Sequence, residues 1–148
     1  MGWQRAFCMR SVHYRGSATA PGLVLALDAA PGAFCDGVAL ALPEAEKPHI
    51  LANLRAREMT ASAYIERVLP LQLADGREVE AISYVIDRAH PLYAPLGLDA
   101  QAEIIARAVG DRGSNAEYLF NTVTHLAELG LPDEPLDRLA TLVRQLMG

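Results

Sequence analysis

Glu58 is the residue in this chain whose type and spacing point most directly to chemistry. It closes the stretch Ile50, Leu51 and Leu54, falling seven residues after Leu51 and four after Leu54. That spacing puts a carboxylate on the helical stripe that should face the core, while Arg55 and Arg57 stand off it. Thr60, Ala61 and Ser62 interrupt the pattern, so the acid should sit at a helix C-terminus. A negative helix end and partial desolvation both disfavour ionisation, which predicts a pKa raised toward neutral and a carboxylate able to accept protons. A structural acid held by Arg55 or by a more distant arginine is the other reading, because ion-paired carboxylates are perturbed too.

The remaining chemistry-bearing residues point less clearly. His13, His49, His90 and His125 are widely separated and lack metal-ligand spacing with cysteines or carboxylates, so no metal site is expected. Cys8 and Cys35 lie in apolar, strand-like surroundings and read as buried thiols. Gly110-Asp111-Arg112-Gly113-Ser114-Asn115 could bind an anion ahead of a helix, or could be a turn with a helix cap. No phosphate-binding or dinucleotide-binding glycine motif is present.

These residues need elements to hold them. Apolar patterning predicts strands at 3–12, 22–28 and 34–42, the last with Gly37 as a bulge or close approach. Pro43 and Glu44 suit the first turn of a helix running to Glu58. Residues 64–73 and 78–87 read as a hairpin around Asp75-Gly76, with Pro70 placing its first strand at an edge. From residue 99 the period is helical. Asp99 should cap one helix that Gly110 ends. Ser114 and Glu117 should open a second, closed by Gly130 and Pro132. Asp133 should cap a third carrying Leu136, Leu139, Leu142, Val143 and Leu146 inward. Five strands before three helices, with the Glu58 helix after the third strand, predict an α+β fold in a single domain over residues 1–148.

Composition sets the frame. The chain has 148 residues, 51% hydrophobic and 21% charged, with a net charge of −5. That acidity argues against general nucleic-acid binding. No apolar run approaches the roughly 20 residues that span a bilayer, and the first residues match neither a signal peptide nor a myristoylation site. Two cysteines are too few for a disulfide scaffold, so a cytoplasmic setting is expected.

Several words of the sequence then occur in a recognisable order. They are Gly2-Trp3-Gln4-Arg5-Ala6-Phe7-Cys8, Tyr14-Arg15-Gly16-Ser17, Pro21-Gly22-Leu23-Val24-Leu25-Ala26-Leu27 and Cys35-Asp36-Gly37-Val38-Ala39. Arg57-Glu58-Met59 follows, with Tyr64 six residues after the acid, and then Asn115-Ala116-Glu117-Tyr118-Leu119-Phe120-Asn121. Together, from Gly2 to about Leu146, they resemble the ChaC-like γ-glutamylcyclotransferases, the branch that acts on glutathione.

The resemblance implies a small mixed β-barrel flanked by helices. It implies cleavage of glutathione to 5-oxoproline and cysteinylglycine without metal or cofactor. The acid/base role falls on Glu58, and Tyr118 matches a tyrosine that lies near the substrate. The family also implies an earlier strand and a Tyr-Gly-Ser-Leu-like loop before Gly2-Trp3. This sequence shows neither, so a domain shortened at its N-terminus, with an unpaired barrel edge, is expected. A non-catalytic binding or self-associating remnant, and a cyclotransferase for other γ-glutamyl amines, are the alternatives.

Overall fold

The computed structural model of the chain describes residues 1–59 and 63–148. The first two apolar runs form β1, Trp3–Ser11, and β2, Gly22–Ala29. They pair antiparallel with Phe7 opposite Leu25, and the register slips between Phe7 and Met9. Strand side chains alternate between faces, and the slip adds one residue to that alternation. Phe7 therefore joins one buried cluster, while both Cys8 and Met9 join another.

The Asp75-Gly76 hairpin is present as β3, Tyr64–Gln72, and β4, Glu78–Ile86, paired from Tyr64–Ile86 to Gln72–Glu78. Gly76 has φ +90°, a left-handed conformation that suits a residue without Cβ. The strand order is β1-β2-β4-β3, so Pro70 does lie on an edge strand. β2 runs parallel to β4 and touches it at Leu27 and Val85. The sheet is thus mixed and curls into a half-barrel, an α+β architecture as expected.

Between β2 and β3 comes α1, Lys47–Met59. After β4 come α2, Leu98–Arg107, the short pair β5, Val109–Gly110, and β6, Gly113–Ser114, then α3, Asn115–Glu128, and α4, Glu134–Met147. Phe7 and Leu23 from the sheet meet Ile105, Leu119, Leu139 and Val143 from these last three helices in the main core. Ala26, Ala63 and Ile86 join Cys8 and Met9 in the smaller cluster, with Tyr64 and Tyr93 against it. The two caps set by local sequence form as expected. Ser114 Oγ accepts from Glu117 N at 3.1 Å, and Asp133 Oδ1 accepts from Leu136 N at 3.2 Å.

Several expectations need correction. Residues 34–42 form no strand: Phe34, Val38 and Leu40 are 73%, 65% and 82% exposed, and the segment has no ladder partner. Apolar content shows what a segment could bury, but a strand also needs a neighbouring edge for its backbone groups. The Glu58 helix consequently follows the second strand. It starts at Lys47, because the Pro43 carbonyl instead accepts from Glu46 N and Lys47 N in a preceding turn.

Asp99 lies inside the first turn of α2, whose cap position is Gly97. Gly110 does not end α2; it sits in β5 against Tyr14, where a Cβ would collide with the Tyr14 carbonyl. Leu146, expected to face inward, is 49% exposed near the end of α4. The interruption expected at Thr60, Ala61 and Ser62 lies outside the described residues.

Candidate active site

The site begins with the edge of β2. In a strand, the N–H and C=O of one residue point to the same side, so Leu23, Leu25 and Leu27 present their backbone groups to one edge. Leu27 meets Val85 there, and upstream of it β2 and β4 part. The exposed backbone groups are completed by side chains, as buried polar groups require. Asn115, itself fully buried, accepts from Leu23 N at 2.8 Å and donates to Leu23 O at 2.7 Å. At Leu25 the Tyr118 hydroxyl oxygen accepts from N at 3.4 Å, and the Tyr64 hydroxyl donates to O at 2.9 Å.

Local sequence brings these groups together. Asn115 and Tyr118 are three apart on α3 and so share its face toward β2. Tyr64 is the first residue of β3. Two glycines let the backbones come this close. A Cβ at Gly22 would strike the Arg15 carbonyl and lie 2.7 Å from Asn115 Oδ1, and one at Gly16 would strike the Gly22 nitrogen.

Glu58 comes near this group, close enough for its charge to act on the Tyr64 hydroxyl. Ile50, Leu51, Leu54 and Glu58 are the half-buried residues among the described side chains of α1, so spacing identified the inward face. It overstated the depth: the Glu58 side chain is 25% exposed and pairs with Arg57 at 3.1 Å. Arg55, named in the structural reading as the partner of Glu58, instead grips Glu66 through Nε at 2.9 Å and Nη2 at 3.2 Å.

The electrostatics tie the acid to the tyrosines. Burial pushes the Tyr64 hydroxyl pKa upward, and the neighbouring Tyr118 and the charge of Glu58 push it the same way. The Glu58 charge also acts, more weakly, on Tyr84, whose pKa burial raises first. Tyr118 is raised by burial, with the Leu25 hydrogen bond and the Arg15 charge opposing. Arg15 lies 5.4 Å from the Tyr118 ring centre and donates to Ser114 O at 3.1 Å and Glu117 Oε2 at 3.2 Å. Phe7 meets the same ring edge-on at 5.6 Å. Tyr118 is thus held on several sides, with its hydroxyl against the Leu25 amide.

Other features lie outside this group. Of residues 110–115 only Asp111 and Arg112 form the turn between β5 and β6, and their amides are taken by the His13 and Tyr14 carbonyls. Cys8 is buried and its thiol is pushed up to about 12, chiefly by desolvation. Asp28, 4% exposed, accepts from Arg88 at 2.8 Å and Tyr93 at 2.9 Å, pinning the segment after β4 across the sheet. Among the described residues no group of three or more His, Cys, Asp or Glu could hold a metal ion. Two surface hollows, one between α2 and α4 and one beside Arg5 and Asp133, are lined by none of Glu58, Tyr64 or Tyr118. The chemistry, not the hollows, locates the site.

Asn115, Arg15 and the Tyr64 hydroxyl escaped sequence reasoning as interacting groups. Asn115 and Tyr118 at helical spacing were a signal that α3 turns polar groups inward, but their partners on β2 lie more than ninety residues away.

The curled sheet and its helical cover have known counterparts. The model of the family described as ChaC-like protein matches residues 1–146, and the chain belongs to that family. It is 40% identical over its full length to the glutathione-specific gamma-glutamylcyclotransferase of Escherichia coli (strain K12), and it covers 64% of that protein's length. It is 29% identical over 99% of its length to gamma-glutamylcyclotransferase 2-3 of Arabidopsis thaliana, of which it covers 77%. A solved structure of a yeast gamma-glutamylcyclotransferase specific to glutathione matches 97% of this chain and 84% of that one, with a TM-score of 0.77. At 18% identity that likeness is one of fold.

Proposed function

We propose that the protein is a γ-glutamylcyclotransferase that cleaves glutathione to 5-oxoproline and cysteinylglycine, with Glu58 as acid and base. The observation that supports this reading is the charge of Glu58 acting on the Tyr64 hydroxyl, which shares the Leu25 backbone with Tyr118 where β2 parts from β4. The 40% identity to a relative named for glutathione supports the choice of substrate.

The reaction needs little beyond such a group. The substrate's own α-amine attacks its γ-carbonyl carbon and closes a five-membered ring. Intramolecular attack of this kind has effective molarities of about 10⁵–10⁸ M, so no covalent nucleophile from the protein is required. At neutral pH the amine is an ammonium ion and must first lose a proton, which Glu58 accepts. The neutral amine then adds to the carbonyl. As the C–N bond to cysteinylglycine breaks, Glu58 gives its proton to the departing nitrogen, and the carboxylate so regenerated takes the surplus proton of the ring nitrogen, leaving 5-oxoproline as the neutral lactam, and passes it on to the released amine. Positioned acid/base transfer of this type contributes about 10²–10⁴-fold.

The tyrosines divide the remaining work by their hydrogen bonds. Tyr64 spends its proton on Leu25 O, which leaves its oxygen to accept from the substrate ammonium. Tyr118 accepts from Leu25 N, which leaves its O–H to donate to a substrate oxygen, where negative charge grows during attack. Tyr118 is therefore assigned to substrate binding.

No helix among the described residues is long and apolar enough to cross a membrane. With free cysteines and a substrate abundant in reducing compartments, we place the activity in the cytoplasm.

Incubation with glutathione and quantification of 5-oxoproline and cysteinylglycine tests the reading. Stoichiometric release of both is expected. Comparison with γ-glutamyl dipeptides lacking the glycine sets the substrate range, and release of 5-oxoproline from those alone would reassign the substrate.

A further inference from the structure

α1 carries the proposed catalytic acid but has little packing of its own to hold it. None of its described side chains is fully buried, and Ile50, Leu51 and Leu54 are only half covered. A helix of 13 residues is marginal in water without tertiary contacts. Its main packing partner is β3.

Glu66 supplies the fastening. Its carboxylate takes both prongs of the Arg55 guanidinium, and Oε1 also accepts from the Tyr84 hydroxyl at 2.9 Å. Glu66 and Tyr84 stand opposite each other in the β3–β4 ladder, so the hairpin register sets this pair independently of α1. Glu66 also lies two residues from Tyr64 on the same strand, hence on the same face. Arg55 precedes Glu58 by three residues, so the two are neighbours on the last turns of α1. The fork geometry constrains orientation as well as distance.

We propose that Glu66 is a positioning residue: by gripping Arg55 it holds the last turns of α1, and with them the Glu58 carboxylate, in place beside Tyr64. This rests on the reading of Glu58 as acid and base. Exposed ion pairs add little to global stability, so the consequence is local. A reacting group displaced by about 1 Å can lose on the order of 10²-fold in rate, which leaves ample room for an effect on turnover.

The test combines Glu66→Ala, the charge-reversed pair Arg55→Glu with Glu66→Arg, and the control Arg77→Ala. The control removes the ion pair with Asp75 at the far tip of the same hairpin. Each variant is measured for kcat and KM on glutathione and for amide hydrogen exchange across residues 47–59. Glu66→Ala should lower kcat about tenfold while KM stays within about twofold, and should speed exchange in α1 but not in α3 or α4. The reversed pair should restore slow exchange in α1, and Arg77→Ala should match the wild type in both readouts. Unchanged exchange in α1 of Glu66→Ala would overturn the proposal, as would faster exchange there with kcat unaltered. A wild type that releases no 5-oxoproline would instead refute the role of Glu58, and the exchange data would still decide whether Glu66 holds the helix.

Discussion

Tyr64 and Tyr118, from β3 and α3, complete the backbone of one residue: Leu25 gives its N–H to Tyr118 and receives the hydroxyl proton of Tyr64. They occupy the place that a neighbouring strand would fill if β4 followed β2 further. A parting in the sheet is thereby closed by side chains that keep hydrogen-bonding capacity to spare. The structural and proposed chemical roles of these tyrosines can be separated by removing one hydroxyl at a time.

Tyr64→Phe leaves the Leu25 carbonyl without its 2.9 Å donor, and Tyr118→Phe leaves the Leu25 amide without a longer, 3.4 Å acceptor. The first should lower unfolding free energy by about 1–3 kcal/mol and the second by less than about 1 kcal/mol, as read by urea denaturation. Turnover should follow the opposite order, with Tyr118→Phe losing more in kcat/KM because its O–H is the one proposed to donate to the substrate. Equal effects on both readouts would place the two residues in a purely structural role.

Asn115 should matter to stability more than either tyrosine. Asn115→Ala leaves both Leu23 groups unpaired in the core and should cost about 2–4 kcal/mol. Gly22→Ala should be destabilising by about 1–3 kcal/mol through a different cause, because its Cβ meets the rigid Arg15 backbone. Chemical denaturation of both variants checks the order. A loss below about 0.5 kcal/mol for Asn115→Ala would contradict the seam described along β2.

Cys8 and Cys35 should differ in reactivity. Burial raises both thiols, and Cys8, pushed to about 12 with the Asp28 charge adding to desolvation, is also shielded from reagents. Iodoacetamide at pH 8 should modify Cys35 first and leave Cys8 intact in the folded protein, as mass spectrometry of the digests would show. The linkage has a defined sign. The unfolded thiol titrates near 9.0, so the contribution of a neutral buried Cys8 is full below that pH and is lost as pH rises toward 12. Cys8→Ala should therefore flatten the loss of stability above pH 9.

Much of the fold is legible locally. Asp75-Gly76 fixes the hairpin, Ser114 with Glu117 fixes the start of α3, and Asp133 fixes the start of α4, because each signal acts within a few residues of its partner. Residues 34–42 carry an equally good strand pattern and form none, since pairing needs an edge elsewhere in the chain. Gly110 looks like a helix terminator, whereas its requirement comes from Tyr14, distant in sequence. The candidate site divides the same way. Spacing on α1 identifies the face that carries Glu58, but its shallow burial depends on what covers that face. The polar seam of Asn115, Tyr118 and Tyr64 joins three elements across β2, and no local pattern encodes it.

The central claim is that Glu58 moves the protons while Tyr64 and Tyr118 hold their places. It is tested most directly by measuring 5-oxoproline release from glutathione by Glu58→Gln beside the wild type, with urea midpoints recorded for both. The substitution keeps the shape of a side chain that is only half-buried and removes its titrating group. Turnover should fall by at least about 10²-fold with the unfolding midpoint essentially unchanged. Wild-type turnover by Glu58→Gln would contradict the account and move the acid/base role to another residue.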